Sequence, residues 1–161
     1  MPVALQVSHL WKCYVAGVRG CSARVWALRD CSLEIQRGER VAIVGARRAG
    51  KTTFLQCVSG ARRADAGCVR AGLPVRWVMG APDEGPSVHA PVLLLADCPD
   101  ALPARECAAD ALLVTARDVA SVRPFVDRVL LLHEGRLTPL ERTAVRRVAE
   151  SAAPRPVRAL R

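Results

Sequence analysis

Apolar residues fall in short runs punctuated by glycine, proline and charged residues. That is the pattern of buried strands rather than of long amphipathic helices. Residues 3–7 and 11–15 read as the first strands, residues 17–22 as a loop, and residues 25–28 and 31–35 as two more short strands closed by a turn at Arg37-Gly38-Glu39. Residues 41–44 are apolar throughout, as a strand covered on both faces is. Residues 51–59 predict a helix with Phe54, Leu55 and Val58 on one side and Gly60 as its stop.

Further apolar strands are predicted at residues 75–79, 92–96, 111–115 and 129–133. Between them, residues 80–91 read as a loop rich in proline and glycine, residues 104–109 as a short helical piece, and residues 119–126 as a brief helix interrupted by Pro124. Glu134-Gly135 is a turn, residues 140–149 fit an amphipathic helix, and residues 151–161, with two prolines and three arginines, fit a frayed tail. The organisation expected is one domain over residues 1–150 followed by that tail, with no repeats. Strands alternating with short helices imply a mainly parallel sheet flanked by helices, preceded here by an antiparallel β subdomain. In such sheets ligands bind at the carboxyl ends of the strands, and Gly45 and Asp97 both stand at such ends, so the two are expected at one site.

Gly45-Ala46-Arg47-Arg48-Ala49-Gly50-Lys51-Thr52 matches G-x-x-x-x-G-K-[ST] in the context that motif requires, a strand before it and a helix after it. Glycines let backbone N–H groups turn inward around an anion, and the helix start adds its positive dipole end. Lys51 reaches the outer phosphates of a nucleotide, Thr52 offers a hydroxyl to magnesium, Asp97 holds the same ion directly or through water, and Thr53 helps hold a phosphate oxygen. The bland alternative, a chance match on a glycine-rich turn, is weakened by the flanking elements and by Asp97. Arg48 strains the turn if its position requires a positive φ.

Composition changes this picture little. The 161 residues carry a formal charge of +9, and Lys12 and Lys51 are the only lysines among 24 basic residues. A chain that prefers arginine has kept a lysine in the loop. The arginines are scattered, with no run of five or six, and so read mainly as a solvated surface. They come with too few aromatics to build a stacking platform for nucleic acid, so that partner is disfavoured. No segment is long and apolar enough to span a membrane, and no secretory signal is visible, so a cytoplasmic location is expected. The seven cysteines are odd in number and without C-x-x-C spacing, which indicates neither a zinc site nor a disulfide framework. His9, His89 and His133 form no cluster in sequence.

Residues 25–45, VWALRDCSLEIQRGERVAIVG, resemble the lead-in to the Walker A loop of ATP-binding cassette (ABC) proteins, and GKTTFLQCVSG at 50–60 continues it. VLLLADCP at 92–99 looks like the Walker B strand, and DRVLLLHEGRL at 127–137 like the strand pair that closes the cassette. The resemblance covers about residues 3–138 and is weakest in the middle. It implies a P-loop NTPase core that binds ATP with Mg²⁺. Gly45, Ala46, Arg47, Arg48, Ala49, Gly50, Lys51, Thr52 and Thr53 would hold the phosphates, Thr52 and Asp97 the metal, and Tyr14 would stack on adenine. The residues alone leave Tyr14 equally readable as a half-buried strand aromatic.

Other family roles do not carry over. The glutamate that polarises the attacking water is replaced by Cys98, a poor base at neutral pH. The switch histidine falls on Arg117, which cannot shuttle a proton but can clamp a phosphate. The Q-loop glutamine would fall near Gly80. Gly45 and Asp97 are 52 positions apart, too few for the family's helical subdomain, and no Leu-Ser-Gly-Gly-Gln signature occurs. The resemblance therefore implies a reduced ATP-binding subunit of an ABC transporter, impaired in hydrolysis alone. Its partner would be a full cassette in trans or a membrane permease subunit that holds it at the inner face of the membrane. The alternatives are a non-hydrolytic regulatory or interaction module that keeps the fold, a P-loop kinase for which no acceptor site is visible, and a decayed copy.

Overall fold

A computed structural model describes residues 2–18, 21–79, 93–97 and 109–140. The chain opens with two long antiparallel strands, β1 (Val3–Val18) and β2 (Cys21–Gln36). Each replaces a pair of short strands expected from sequence, and the strand ends run into the expected loop at 17–22. The breaks in alternation around Ser8-His9 and Arg29-Asp30 are irregularities within the strands, not their ends. The register shifts between Val7 and Leu10, where His9 (φ 49°) and Asp30 (φ 54°) both take left-handed conformations. The two are tied together there, with His9 Nδ1 2.6 Å from Asp30 Oδ1 and the His9 N–H donating to Ser32 Oγ at 3.0 Å. A bulge of this kind absorbs an extra residue while pairing continues on either side.

β3 (Arg40–Val44) leads into helix α1 (Lys51–Val58). There follow β4 (Ala66–Ala71), β5 (Val75–Met79), β6 (Leu93–Asp97), β7 (Ala111–Ala116), α2 (Val119–Val122) with a 3-10 turn Arg123–Phe125, β8 (Arg128–His133) and β9 (Arg136–Pro139). The helix expected at 119–126 is thus split at Pro124, because proline suits the start of a new turn and not a helix interior. β4 was not expected. It pairs with β1 as an edge strand, mostly exposed, and its sequence AGCVRA has little β-branched character. The helical readings at 104–109 and 140–149, the loop at 80–91 and the tail at 151–161 lie wholly or largely outside the described residues.

Two sheets result. One has the order β2-β1-β4; the other has the order β5-β6-β7-β3-β8-β9 and is parallel except for β9. β3 and β7 are almost wholly buried because the central sheet is covered on both faces. The main core joins Leu5, Leu10, Leu28 and Ile35 of the hairpin, Phe54 and Leu55 of α1, and Val41, Ile43, Leu95, Leu113 and Leu132 of the sheet. A second cluster on the opposite face joins Ala42, Val44 and Val114 to Val119 and Val122 of α2.

The hairpin is stitched to the segment after α1 by Asp65. Its carboxylate accepts the Cys13 N–H at 2.7 Å and the Lys12 ammonium at 2.8 Å. These two bonds hold its pKa down to about 2 from the ordinary 3.8, the Cys13 N–H acting most strongly. A depressed carboxylate stabilises the fold above its unfolded pKa and ceases to do so as pH falls through the folded one. Acid should therefore weaken the chain between about pH 4 and pH 2 in part through Asp65. Urea unfolding midpoints at pH 6 and pH 3 should differ less in Asp65→Asn than in the parent chain. An equal difference in both would remove Asp65 from the account.

Candidate functional site

β3 leads into Gly45, which is buried; a Cβ there would lie 2.5 Å from the carbonyl oxygen of Leu132 in β8. The chain then turns over Arg47 and Arg48, with the Ala49 N–H donating to the Ala46 carbonyl at 3.2 Å, and enters α1 through Gly50 at φ 104°. A Cβ on Gly50 would strike the carbonyl oxygen of Ala27 in β2. The loop is therefore held between β2 and β8, and glycine stands where each comes closest. The first N–H groups of α1 have no partner within the helix and supply its positive end.

Lys51 is only 9% exposed, and its Nζ donates to the carbonyls of Gly45 at 2.7 Å and Ala46 at 2.8 Å. An ammonium is thus held inside the turn of the loop. Thr52 is exposed and Thr53 half-buried on the same turn of helix. Arg48 sits at φ 66°, so the position does take the left-handed conformation. For a non-glycine residue that conformation costs about 1–2 kcal/mol, part of which glycine would return as unfolded-state entropy. Arg48→Gly should stabilise the chain by up to about 1 kcal/mol in thermal or urea unfolding, and destabilisation would show that the Arg48 side chain contributes more than its backbone strain.

Tyr14 of β1 approaches this helix. Its hydroxyl lies 3.3 Å from Thr53 Oγ1, and Arg62 Cζ and Lys12 Nζ stand 5.4 Å and 5.8 Å from its ring centroid. Directly across the strand pair is Val25, an apolar side chain left 52% exposed. Tyr14 and Val25 share one face of the hairpin, since opposite residues in antiparallel strands point the same way. Sequence reasoning found Tyr14 but not Val25; an apolar side chain is unremarkable until the register shows its neighbour.

Asp97 ends β6, half-buried, and its Oδ1 accepts a 2.6 Å hydrogen bond from Thr115 Oγ1. It does not leave a strand next to that of Gly45. β7 stands between, with Thr115 in register with both Asp97 and Ile43. Asp97 and the end of β3 are thus two strand spacings apart, about 10 Å, on the same carboxyl edge. Thr115 is fully buried and orients the carboxylate; nothing local in the sequence marks it for that. Arg117 follows Ala116, the partner of Val44, so it leaves the sheet one strand spacing from Gly45, exposed. The carboxyl edge and the loop that leaves it therefore carry Arg47, Arg48, Lys51 and Arg117 as well as Asp97. Cys98 and Gly80 lie outside the described residues. Among the described residues Cys13, Cys31, Cys57 and Cys68 are free thiols, no cluster of three or more histidine, cysteine or acidic side chains forms a metal site, and no helix is long and apolar enough to cross a membrane.

Residues 28–96 match the family model described as "ABC transporter". The lipoprotein-releasing system ATP-binding protein LolD of Bordetella pertussis is 52% identical over 52 residues, 32% of this chain and 21% of that protein. The SkfA peptide export ATP-binding protein SkfE of Bacillus subtilis is 34% identical over 100 residues, 62% of this chain and 36% of that protein. The chain thus matches only a minor part of the length of these relatives. Among solved structures, the ADP conformation of the cassette MJ1267 superposes with a TM-score of 0.69 at 12% identity, covering 94% of this chain and 96% of that one. The dimeric post-hydrolysis cassette MJ0796, bound to ADP and Pi, superposes with a TM-score of 0.67 at 16% identity, covering 85% and 98%. At such identities the likeness is one of fold.

Proposed function

In its P-loop core, residues 28–96, the chain belongs to the ABC transporter family, and on that footing we propose that it is a reduced ATP-binding subunit that holds Mg-ATP and hydrolyses it poorly by itself. The observation that carries this reading is Lys51, an ammonium held against two carbonyls inside a loop whose glycines leave no room for a side chain. A phosphate chain entering the loop offers the Lys51 ammonium charged acceptors in place of neutral ones, which adds ion-pair attraction to bonds that already have an ionised donor.

The donor set fits Mg²⁺ as well as phosphate. Thr52 presents a hard oxygen, and Asp97 presents a carboxylate whose orientation Thr115 sets. Bound ATP would supply a terminal phosphoryl group that passes to water as its bond to the β-phosphate oxygen breaks and ADP leaves. The residues around it serve binding better than turnover. Cys98 follows Asp97 where a carboxylate base would be needed, and loss of such a base lowers rates by about 10²–10⁴. Arg117 neutralises phosphate charge but passes no proton. Tyr14 and Val25 form the wall for the base. A full cassette in trans or a membrane permease subunit would complete the assembly and place the chain at the inner face of the membrane. Cys98 and Arg117 also favour a second reading, a regulatory module that keeps nucleotide without turning it over.

The test is titration of the purified chain with a fluorescent ATP analogue, with and without Mg²⁺ and beside Lys51→Ala, with phosphate release followed in the same samples. Mg²⁺-dependent binding with negligible release is the expected result. Clear release would show that Cys98 and Arg117 do not disable the site. No binding by the parent chain would refute the nucleotide reading.

A further inference from the structure

The side chain of Arg62 is exposed, yet a side-chain bond tethers it: its Nε donates to Gln56 Oε1 at 3.0 Å. The backbone beneath it is tied to the same residue, the Arg62 main-chain N–H donating to the Gln56 carbonyl at 3.0 Å. The guanidinium carbon stands 5.4 Å from the centroid of Tyr14, the ring whose hydroxyl reaches Thr53. We propose that Arg62 is a base-clamping residue: the nucleobase of a bound nucleoside triphosphate enters between the Tyr14 ring and the guanidinium, which closes over its outer face. The inference rests on the nucleotide reading above and adds to it a residue that grips the base from the side opposite Tyr14.

The spacing and the tether support it. Two stacked layers at van der Waals contact need about 7 Å, so the guanidinium must withdraw by less than about 2 Å. Its anchor Oε1 belongs to a half-buried glutamine side chain on α1, so donor and acceptor can shift together. The planar, weakly hydrated guanidinium loses nothing by the exchange, since it leaves one π face for another. Lys12, the other cation beside the ring, lacks this freedom. Its side chain is 13% exposed and its ammonium is committed to Asp65 at 2.8 Å.

Arg62→Ala and Arg62→Lys should be compared with the parent chain by calorimetric titration with Mg-ATP and with magnesium and inorganic triphosphate, which has no base. Arg62→Ala is expected to weaken ATP binding about 3- to 10-fold and to leave triphosphate binding within about 2-fold. Arg62→Lys, which keeps the charge but loses the plane, should fall between. Equal weakening for both ligands would overturn the proposal by making Arg62 a phosphate contact. Unchanged or tighter ATP binding in Arg62→Ala would overturn it by showing that the guanidinium merely covers Tyr14. If the parent chain holds triphosphate as tightly as ATP, there is no base contact to clamp, and the proposal fails while the phosphate-loop reading survives. If the parent chain binds neither ligand, that reading fails and the clamp with it.

Discussion

Lys51→Ala should lower the affinity for Mg-ATP by at least about 30-fold while leaving the far-ultraviolet circular dichroism spectrum unchanged. Removing one partner of a desolvated charge pair commonly costs about 2 kcal/mol or more, and about 1.4 kcal/mol is a factor of ten in affinity. Lys51 meets the conditions for an effect of that size. It is 9% exposed, and its Nζ is held within the loop by the carbonyls of Gly45 and Ala46. The exposed arginines of the same loop cannot replace it. Arg47 and Arg48 present their charge to solvent, where water and salt screen it. Arg47→Ala should therefore weaken binding far less than Lys51→Ala does, and more so at low ionic strength. The two variants separate a loop built around one buried ammonium from a general cationic surface. Equal losses in both would favour the surface, and a Lys51→Ala chain that binds as the parent does would end the nucleotide reading.

Gly50→Ala should destabilise the chain by about 3 kcal/mol, the sum of a backbone strain and a collision. For a domain of this size that lowers the thermal midpoint by about 6–12 °C. Gly50 takes φ 104°, and a Cβ there would run into the carbonyl oxygen of Ala27, a backbone atom of a paired strand that cannot move without carrying β2 along. Gly60 is the control. It also has a positive φ, 79°, but its Cβ position has nothing within 4 Å. Gly60→Ala should show only the strain, about 1 kcal/mol, and the difference between the two variants isolates the contact between loop and hairpin. Nucleotide binding should weaken in Gly50→Ala even where the chain is folded, because the Gly50 carbonyl accepts the Phe54 N–H at 2.9 Å and so sets the first turn of α1. Equal midpoints for the two variants would show that β2 and the loop part readily, and the loop would not be a preformed cradle.

Much of the loop at residues 45–52 is legible in the sequence because its determinants are local. The strand, the turn, the ammonium and the helix start are consecutive residues, and each residue type is demanded by its neighbours rather than by a distant partner. The strain at Arg48 is legible for the same reason, and its φ of 66° follows from the turn in which it sits. The hairpin was less legible. Periodicity breaks at His9 and Asp30, and only pairing across β1 and β2, with those two side chains bonded to each other, shows that the strands run on. β4 has almost no periodic signal, because an edge strand with both faces largely wet has no reason to alternate.

The sequence by itself determined the fold class, the loop of residues 45–52 and the aspartate at the end of a buried strand, since burial and tight turns restrict residue types position by position. The tertiary structure alone decided what stands beside what. It put β7 between Gly45 and Asp97, gave Thr115 the task of orienting that aspartate, set Val25 opposite Tyr14 and carried Arg62 over the ring. Strand order and register depend on contacts between residues far apart in the chain, and a threonine, a valine or an arginine looks the same in sequence whether or not such a contact exists.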